Sequence, residues 1–309
     1  MSFSTSVHGK WILLGEHTVL RGGSALAFPV FGKHLNLSEI EGDGHVVSGA
    51  HGEEYRVLLP GVWSRALTLL NLTSQRESEL QRVRFHLDAD LPIGAGLGAS
   101  AALAVAVGRY FVARGFLRDQ ELFGFCREIE NLFHGESSGV DVAVALRGEG
   151  LEFQRGVDLN SVPSFVPAWE PNWYISFSGA RGITSDCVNK VKALMSREPE
   201  LGARLDEQMK IAVDEARAAL LKPGSLGALA GAIERGARVF EAWGLSGGEL
   251  GEHLAKLREA GAVAVKPTGS GGGGFALSLW DGPPPSSLLA PEGGAGLIRV
   301  FRQREKREA

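Results

Sequence analysis

Short apolar runs and glycine- or proline-rich breaks alternate along the chain, and the pattern predicts a mixture of strands and helices. Trp11–Leu14 and Ala25–Val30 are unbroken apolar runs of strand length, while His34–Ile40 alternates apolar and polar positions as a half-exposed strand does. Further strands are expected at Tyr55–Leu59, Val83–Leu87, Trp173–Phe177, Ala262–Lys266, Phe275–Leu279 and Leu297–Phe301. Helical spacing is expected over Val62–Leu70, Asp119–Phe133 (with Asp119 as cap), Ala203–Leu221 and Ser225–Trp243. The capping-box pattern Ser246–Glu249 opens another helix, which Gly261 could close. Ala101–Arg114 is apolar almost all round, so it reads as a buried helix. Val157–Pro171 holds three prolines and little periodicity, and reads as a linker between two halves, 1–168 and 169–309.

Composition narrows the class. A chain of 309 residues with 44% hydrophobic and 22% charged residues is an ordinary globular protein, long enough for two domains. The net charge of −4 gives no nucleic-acid or polybasic membrane footprint. Two cysteines, Cys126 and Cys187, make no disulfide framework, and no apolar run is long enough to span a bilayer. With no signal-peptide core, a reducing cytoplasm is the expected compartment. Glycine is in excess: 42 residues, about twice the usual ~7%.

Two glycine clusters stand out. Pro92-Ile-Gly94-Ala95-Gly96-Leu97-Gly98-Ala99-Ser100 leads directly into the buried helix. Glycines here let the backbone approach a ligand, and the helix N-terminus offers free N–H groups, a combination suited to phosphate. The spacing matches neither a Walker A loop nor a dinucleotide fingerprint. A tight turn packing a helix on a sheet is the plainer reading. Gly269-Ser270-Gly-Gly-Gly-Gly274 lies between two apolar strands, where it points to close backbone approach.

Single residues add chemistry. On a helical wheel Glu130 falls between Cys126 and Phe123, inside the apolar face of its helix. A buried carboxylate there is either ion-paired or bound to a metal. Ser100 is either a first-turn helical serine or a hydroxyl on a magnesium ion. Asp141 follows the constrained segment His134-Gly-Glu-Ser-Ser-Gly-Val, and could cap a helix or orient a hydroxyl in phosphoryl transfer.

Gly9–His17, Pro92–Ala102 and Lys266–Gly274, in this order, resemble the three motifs of the GHMP kinase superfamily, and His134–Asp141 is similar to the mevalonate kinases in particular. The resemblance implies an α+β, two-domain fold with a ribosomal protein S5 domain 2-like N-terminal half and a ferredoxin-like C-terminal half. It implies ATP-dependent phosphorylation of the primary hydroxyl of mevalonate, with Mg²⁺. By it, Asp141 and Lys10 are catalytic, and Pro92, Gly94, Ala95, Gly96, Leu97, Gly98, Ala99 and Ser100 bind ATP phosphates. Ser100 and Glu130 bind the metal, and Lys10, Glu16, His17, Asp141, Thr184, Gly269 and Ser270 face the substrate. Trp63 is a candidate for the adenine side. Departures are Ala99 for the loop's usual first serine, Ser137 for the usual proline, and Arg181 displaced by one position. Another GHMP kinase, acting on a sugar, phosphomevalonate or homoserine, and a catalytically silent sensor remain as alternatives. A homodimer is the default assembly.

Overall fold

A computed structural model describes residues 3–42, 44–72, 80, 82–289 and 296–300. The first sheet is built on β1 (Ser4–Leu14) and the long β2 (Ser24–Ile40), which pair antiparallel. The two apolar segments at 25–30 and 34–40 are thus one strand, carried past Gly32 at φ +83°. The far half of β2 pairs with β4 (Arg84–Ala89), which β3 (Val46–Ser48) joins in parallel, and the near half pairs with β5 (Leu151–Gln154). The second sheet has the order β7 (Ala264–Pro267), β8 (Phe275–Trp280), β6 (Asn172–Phe177), β9 (Ile298–Arg299).

The helices among the described residues are α1 (Gly52–Leu70), α2 (Ala99–Ala113), α3 (Leu122–His134) and α4 (Val140–Arg147), then α5 (Thr184–Arg197), α6 (Pro199–Leu220), α7 (Leu226–Ala242) and α8 (Gly248–Glu259). Helix α2 is buried along nearly its whole length, as its apolar composition requires. None of the described helices is long and apolar enough to cross a membrane.

Several expectations are corrected. Tyr55–Leu59 is not a strand but part of α1, whose buried Tyr55, Leu59, Val62 and Ala66 fall on one helical face. Pro60 sits inside that helix on its exposed side, and it is the residue that splits the pattern in the sequence. Helix α5 was not anticipated, since only Cys187, Val188 and Val191 are buried in an otherwise polar stretch. Asp119 does not cap α3: a short turn, Asp119–Glu121, precedes it, with the Glu121 carboxylate accepting from Arg118 N–H. Ser246 makes no cap either, and α8 begins after Gly247 with no side-chain cap. Phe301 and the charged tail to Ala309 lie outside the described residues.

One apolar core runs through both sheets. Trp11 on β1 stacks on Phe28 of β2 and meets Trp173 of β6 edge-on, both ring centroids 5.0 Å away. A polar staple accompanies this contact. The buried Thr268 hydroxyl donates to Ile12 O (2.8 Å) and accepts from Ile12 N–H (3.0 Å). It fills the backbone groups of Ile12 where the β1–β2 register shifts.

Candidate active site

A cleft of about 330 Å³ opens where the start of α2, the end of α3, the starts of α4 and α5 and the second glycine loop converge. Most of the residues singled out in the sequence line it, although they come from segments as far apart as Lys10 and Ser270.

The phosphate-type loop owes its shape to glycine. Gly98 caps α2 at φ +74°, and a Cβ there would come within 2.8 Å of Lys10 Cγ. Lys10 thus lies flat along the loop, and its backbone N–H donates to Leu97 O (2.9 Å). Its ammonium donates to Gly96 O (3.0 Å) and pairs with Asp141 Oδ2 (3.0 Å). Lys10 is only 3% exposed and Asp141 22%, so the pair sits at the cleft floor with the carboxylate facing the opening. Asp141 is the second residue of α4, whose cap is Gly139 at φ +89°. Ser100 lies in the first turn of α2. Ala95 and Leu97 differ from their neighbours. Their side chains are buried in the core, their carbonyls accept from Phe275 and Lys10 N–H, and they do not line the cleft.

Glu130 is 1% exposed, as the helical wheel requires. Its Oε1 accepts from Ser100 Oγ (2.8 Å) and its Oε2 from Ser137 Oγ (2.9 Å). Ser100 and Glu130 therefore present a hydroxyl and a carboxylate side by side at the mouth of a phosphate-type loop. Among the described residues no group of three His, Cys, Asp or Glu could hold a metal. Hard oxygen donors with one carboxylate suit Mg²⁺, which completes its shell with phosphate and water.

The opposite wall carries a buried ion pair. Glu16 Oε1 accepts from Lys266 Nζ at 2.6 Å, and Lys266 also donates to Pro267 O and lies 5.0 Å from the centre of the Phe240 ring. Burial raises the Glu16 carboxyl and lowers the Lys266 ammonium, while their attraction opposes both shifts. Glu16 Oε2 is buried without a hydrogen-bond partner. Beside it, His17 Nε2 donates to Ser270 O (2.9 Å) under the rings of Trp243 and Phe240. Burial lowers its pKa to about 4, so the imidazole is neutral. Thr184 opens α5, and its hydroxyl accepts from Ser270 Oγ (3.3 Å).

The second glycine loop touches the first. A Cβ on Gly274, at φ +81°, would come within 2.6 Å of Ala95 O, and Phe275 N–H donates to that same oxygen (3.2 Å). Here the glycines serve backbone contact between the two halves.

Four participants were missed in the sequence. Lys266 carried a signal, a lone charge ending an apolar strand, comparable to that of Glu130. Ser137 and Thr268 are small hydroxyl residues whose partners lie elsewhere in the chain. Glu136 joins Arg155 (2.7 Å) and Lys192 of α5 (2.9 Å) across the cleft. Displaced Arg181 lies outside the cleft lining and pairs with Glu54 (2.8 Å), whose other oxygen accepts from Ile93 N–H (3.0 Å). Trp63 is not at the site. It stacks on Phe111 at 4.9 Å within an aromatic cluster. The His134 side chain is outside the described residues.

Known proteins resemble this chain in sequence and in fold. Residues 64–149 match the family model for the GHMP kinases N-terminal domain. A protein named mevalonate kinase from Thermococcus sibiricus is 30% identical over 307 residues, covering 90% of this chain and 89% of that relative. The crystal structure of L. major mevalonate kinase in complex with R-mevalonate superposes with a TM-score of 0.74 at 23% identity, over 91% of this chain and 87% of that one. Streptococcus pneumoniae phosphomevalonate kinase in complex with phosphomevalonate and AMPPNP gives 0.67 at 17% identity, over 90% and 92%. The structural likenesses show the fold.

Proposed function

The chain belongs to the mevalonate kinase family of GHMP kinases, and from that premise we propose how this cleft performs the family's ATP-dependent phosphorylation of the mevalonate primary hydroxyl. The observation that carries the reading is the Lys10–Asp141 pair, 3.0 Å apart on the cleft floor beside the glycine loop. Phosphoryl transfer is largely positioning and charge stabilisation. The Gly94–Ser100 loop and the N-terminus of α2 receive the ATP phosphates on backbone N–H groups. Asp141 accepts the hydrogen bond of the attacking hydroxyl and takes its proton as the new P–O bond forms and the β–γ bridge breaks, releasing ADP. Lys10 pairs with the Asp141 carboxylate, holding it in place, and offsets negative charge on the transferring group. Ser100 and Glu130 would hold Mg²⁺, which when bound neutralises charge on the phosphate oxygens. Glu16, His17, Thr184, Gly269 and Ser270 form the substrate wall. We divide the chain near 168/169, between the strands of the first and second sheets. The free, buried Cys126 and Cys187 fit a reducing compartment.

The test is ADP release from Mg-ATP with mevalonate, 5-phosphomevalonate, galactose and homoserine side by side. Saturable turnover with mevalonate alone is expected. Turnover with a different alcohol in its place would overturn the substrate, and silence with all four would overturn the enzyme.

A further inference from the structure

Glu130 is gripped on both oxygens. One grip is Ser100, already assigned beside it to the metal. The other comes from Ser137, which belongs to the loop between α3 and α4 and is itself buried. This hydroxyl does two things at once. It donates to Glu130 Oε2 (2.9 Å) and accepts from Gly139 N–H (3.1 Å), the residue that caps α4. The loop is pinned a second time by Ser137 N–H, which donates to Asn131 Oδ1 (2.8 Å) one residue after Glu130. A continuous chain of contacts thus runs from Ser100 through Glu130 and Ser137 to the cap of the helix that carries Asp141. A carboxylate at the end of a glutamate side chain has several rotamers, and an acceptor held on one oxygen alone can still swing. A second donor on the other oxygen fixes the plane of the carboxylate.

We propose that Ser137 is a positioning residue that locks the Glu130 carboxylate in its metal-binding orientation and ties it to the start of α4. This rests on the assignment of Glu130 to Mg²⁺ given above. Ser137 also borders the cleft, and in this scheme it acts through Glu130. The outer partners of metal ligands commonly change metal affinity by 10–100-fold when removed.

The test reads metal binding directly. Mn²⁺ binding to the enzyme–ADP complex is titrated by electron paramagnetic resonance in the intact protein, its Ser137→Ala, Ser137→Thr and Glu130→Gln variants, and the Ser137→Ala/Glu130→Gln double variant. ADP binding without metal is measured alongside. Ser137→Ala is expected to weaken Mn²⁺ about 10-fold while metal-free ADP affinity holds, and Ser137→Thr to restore it. In the Glu130→Gln background the serine change should have no further effect. Unchanged Mn²⁺ affinity in Ser137→Ala would overturn the proposal. So would an equal loss in the Glu130→Gln background, or a loss in Ser137→Thr as large as in Ser137→Ala. If Ser137→Ala does not fold, Ser137→Cys, which keeps the size of the side chain but offers only a weak donor, takes its place in both backgrounds with the same expected and contrary results. Glu130→Gln with wild-type Mn²⁺ affinity would instead remove the metal assignment itself.

Discussion

His17 shows how burial sets the working state of a single side chain. Enclosed by Trp243 and Phe240, its pKa falls from the ordinary 6.5 to about 4. The unfolded chain takes up a proton as pH falls through 6.5, whereas the folded chain resists until about pH 4. Across that window the unfolded state holds more protons, so stability contributed here is full above pH 6.5 and is lost as pH falls. The full effect of such a shift is about 3 kcal/mol. Neighbouring Glu16, raised by burial, acts with the opposite sign and is common to both proteins in a comparison. Urea unfolding of the protein and of His17→Asn between pH 4 and 7 should show a shallower acid loss in the variant. Identical pH slopes would mean that His17 is not buried neutral.

At the scale of elements, the start of α2 couples backbone conformation to chemistry. Gly98 needs its positive φ, and its missing Cβ makes room for the Lys10 stem. Gly98→Ala should cost about 1–3 kcal/mol from backbone strain. It should also reduce kcat by ~10-fold or more, because displacing Lys10 disturbs Asp141. Gly115→Ala, also at positive φ but in open space, should lose stability without losing kcat. An unchanged kcat in Gly98→Ala would separate the loop from catalysis. The same contrast explains what could be read from the chain beforehand. The buried helix, the two glycine loops and the inward-facing Glu130 are local features, visible as composition or as a wheel position. Tyr55–Leu59 failed because Pro60 interrupts a pattern that the packing of α1 tolerates. Helix α5 failed because its apolar stripe is narrow. The Lys266–Glu16 pair joins residues whose separation no local window spans, and only the lone charge in a strand hinted at it.

At the scale of the molecule, the site belongs to neither half. The first sheet and its helices supply Lys10, Ser100, Glu130 and Asp141, and the second half supplies Thr184, Ser270 and the pairing of Lys266 with Glu16. The continuous core, the Thr268 staple on Ile12 and the contact of the two glycine loops hold these groups in one register. Glu136 and Lys192 add a bridge across the cleft from the α3–α4 loop to α5. The central claim is that this frame places Asp141 to activate the attacking hydroxyl, with Lys10 beside it. It is tested most directly by single-turnover transfer of labelled phosphate from Mg-ATP to mevalonate in the protein and in Asp141→Asn, with Mg-ATP binding measured in both. The account predicts a rate lower by ~10²–10⁴-fold with ATP binding nearly unchanged. Transfer at the original rate in Asp141→Asn would contradict it.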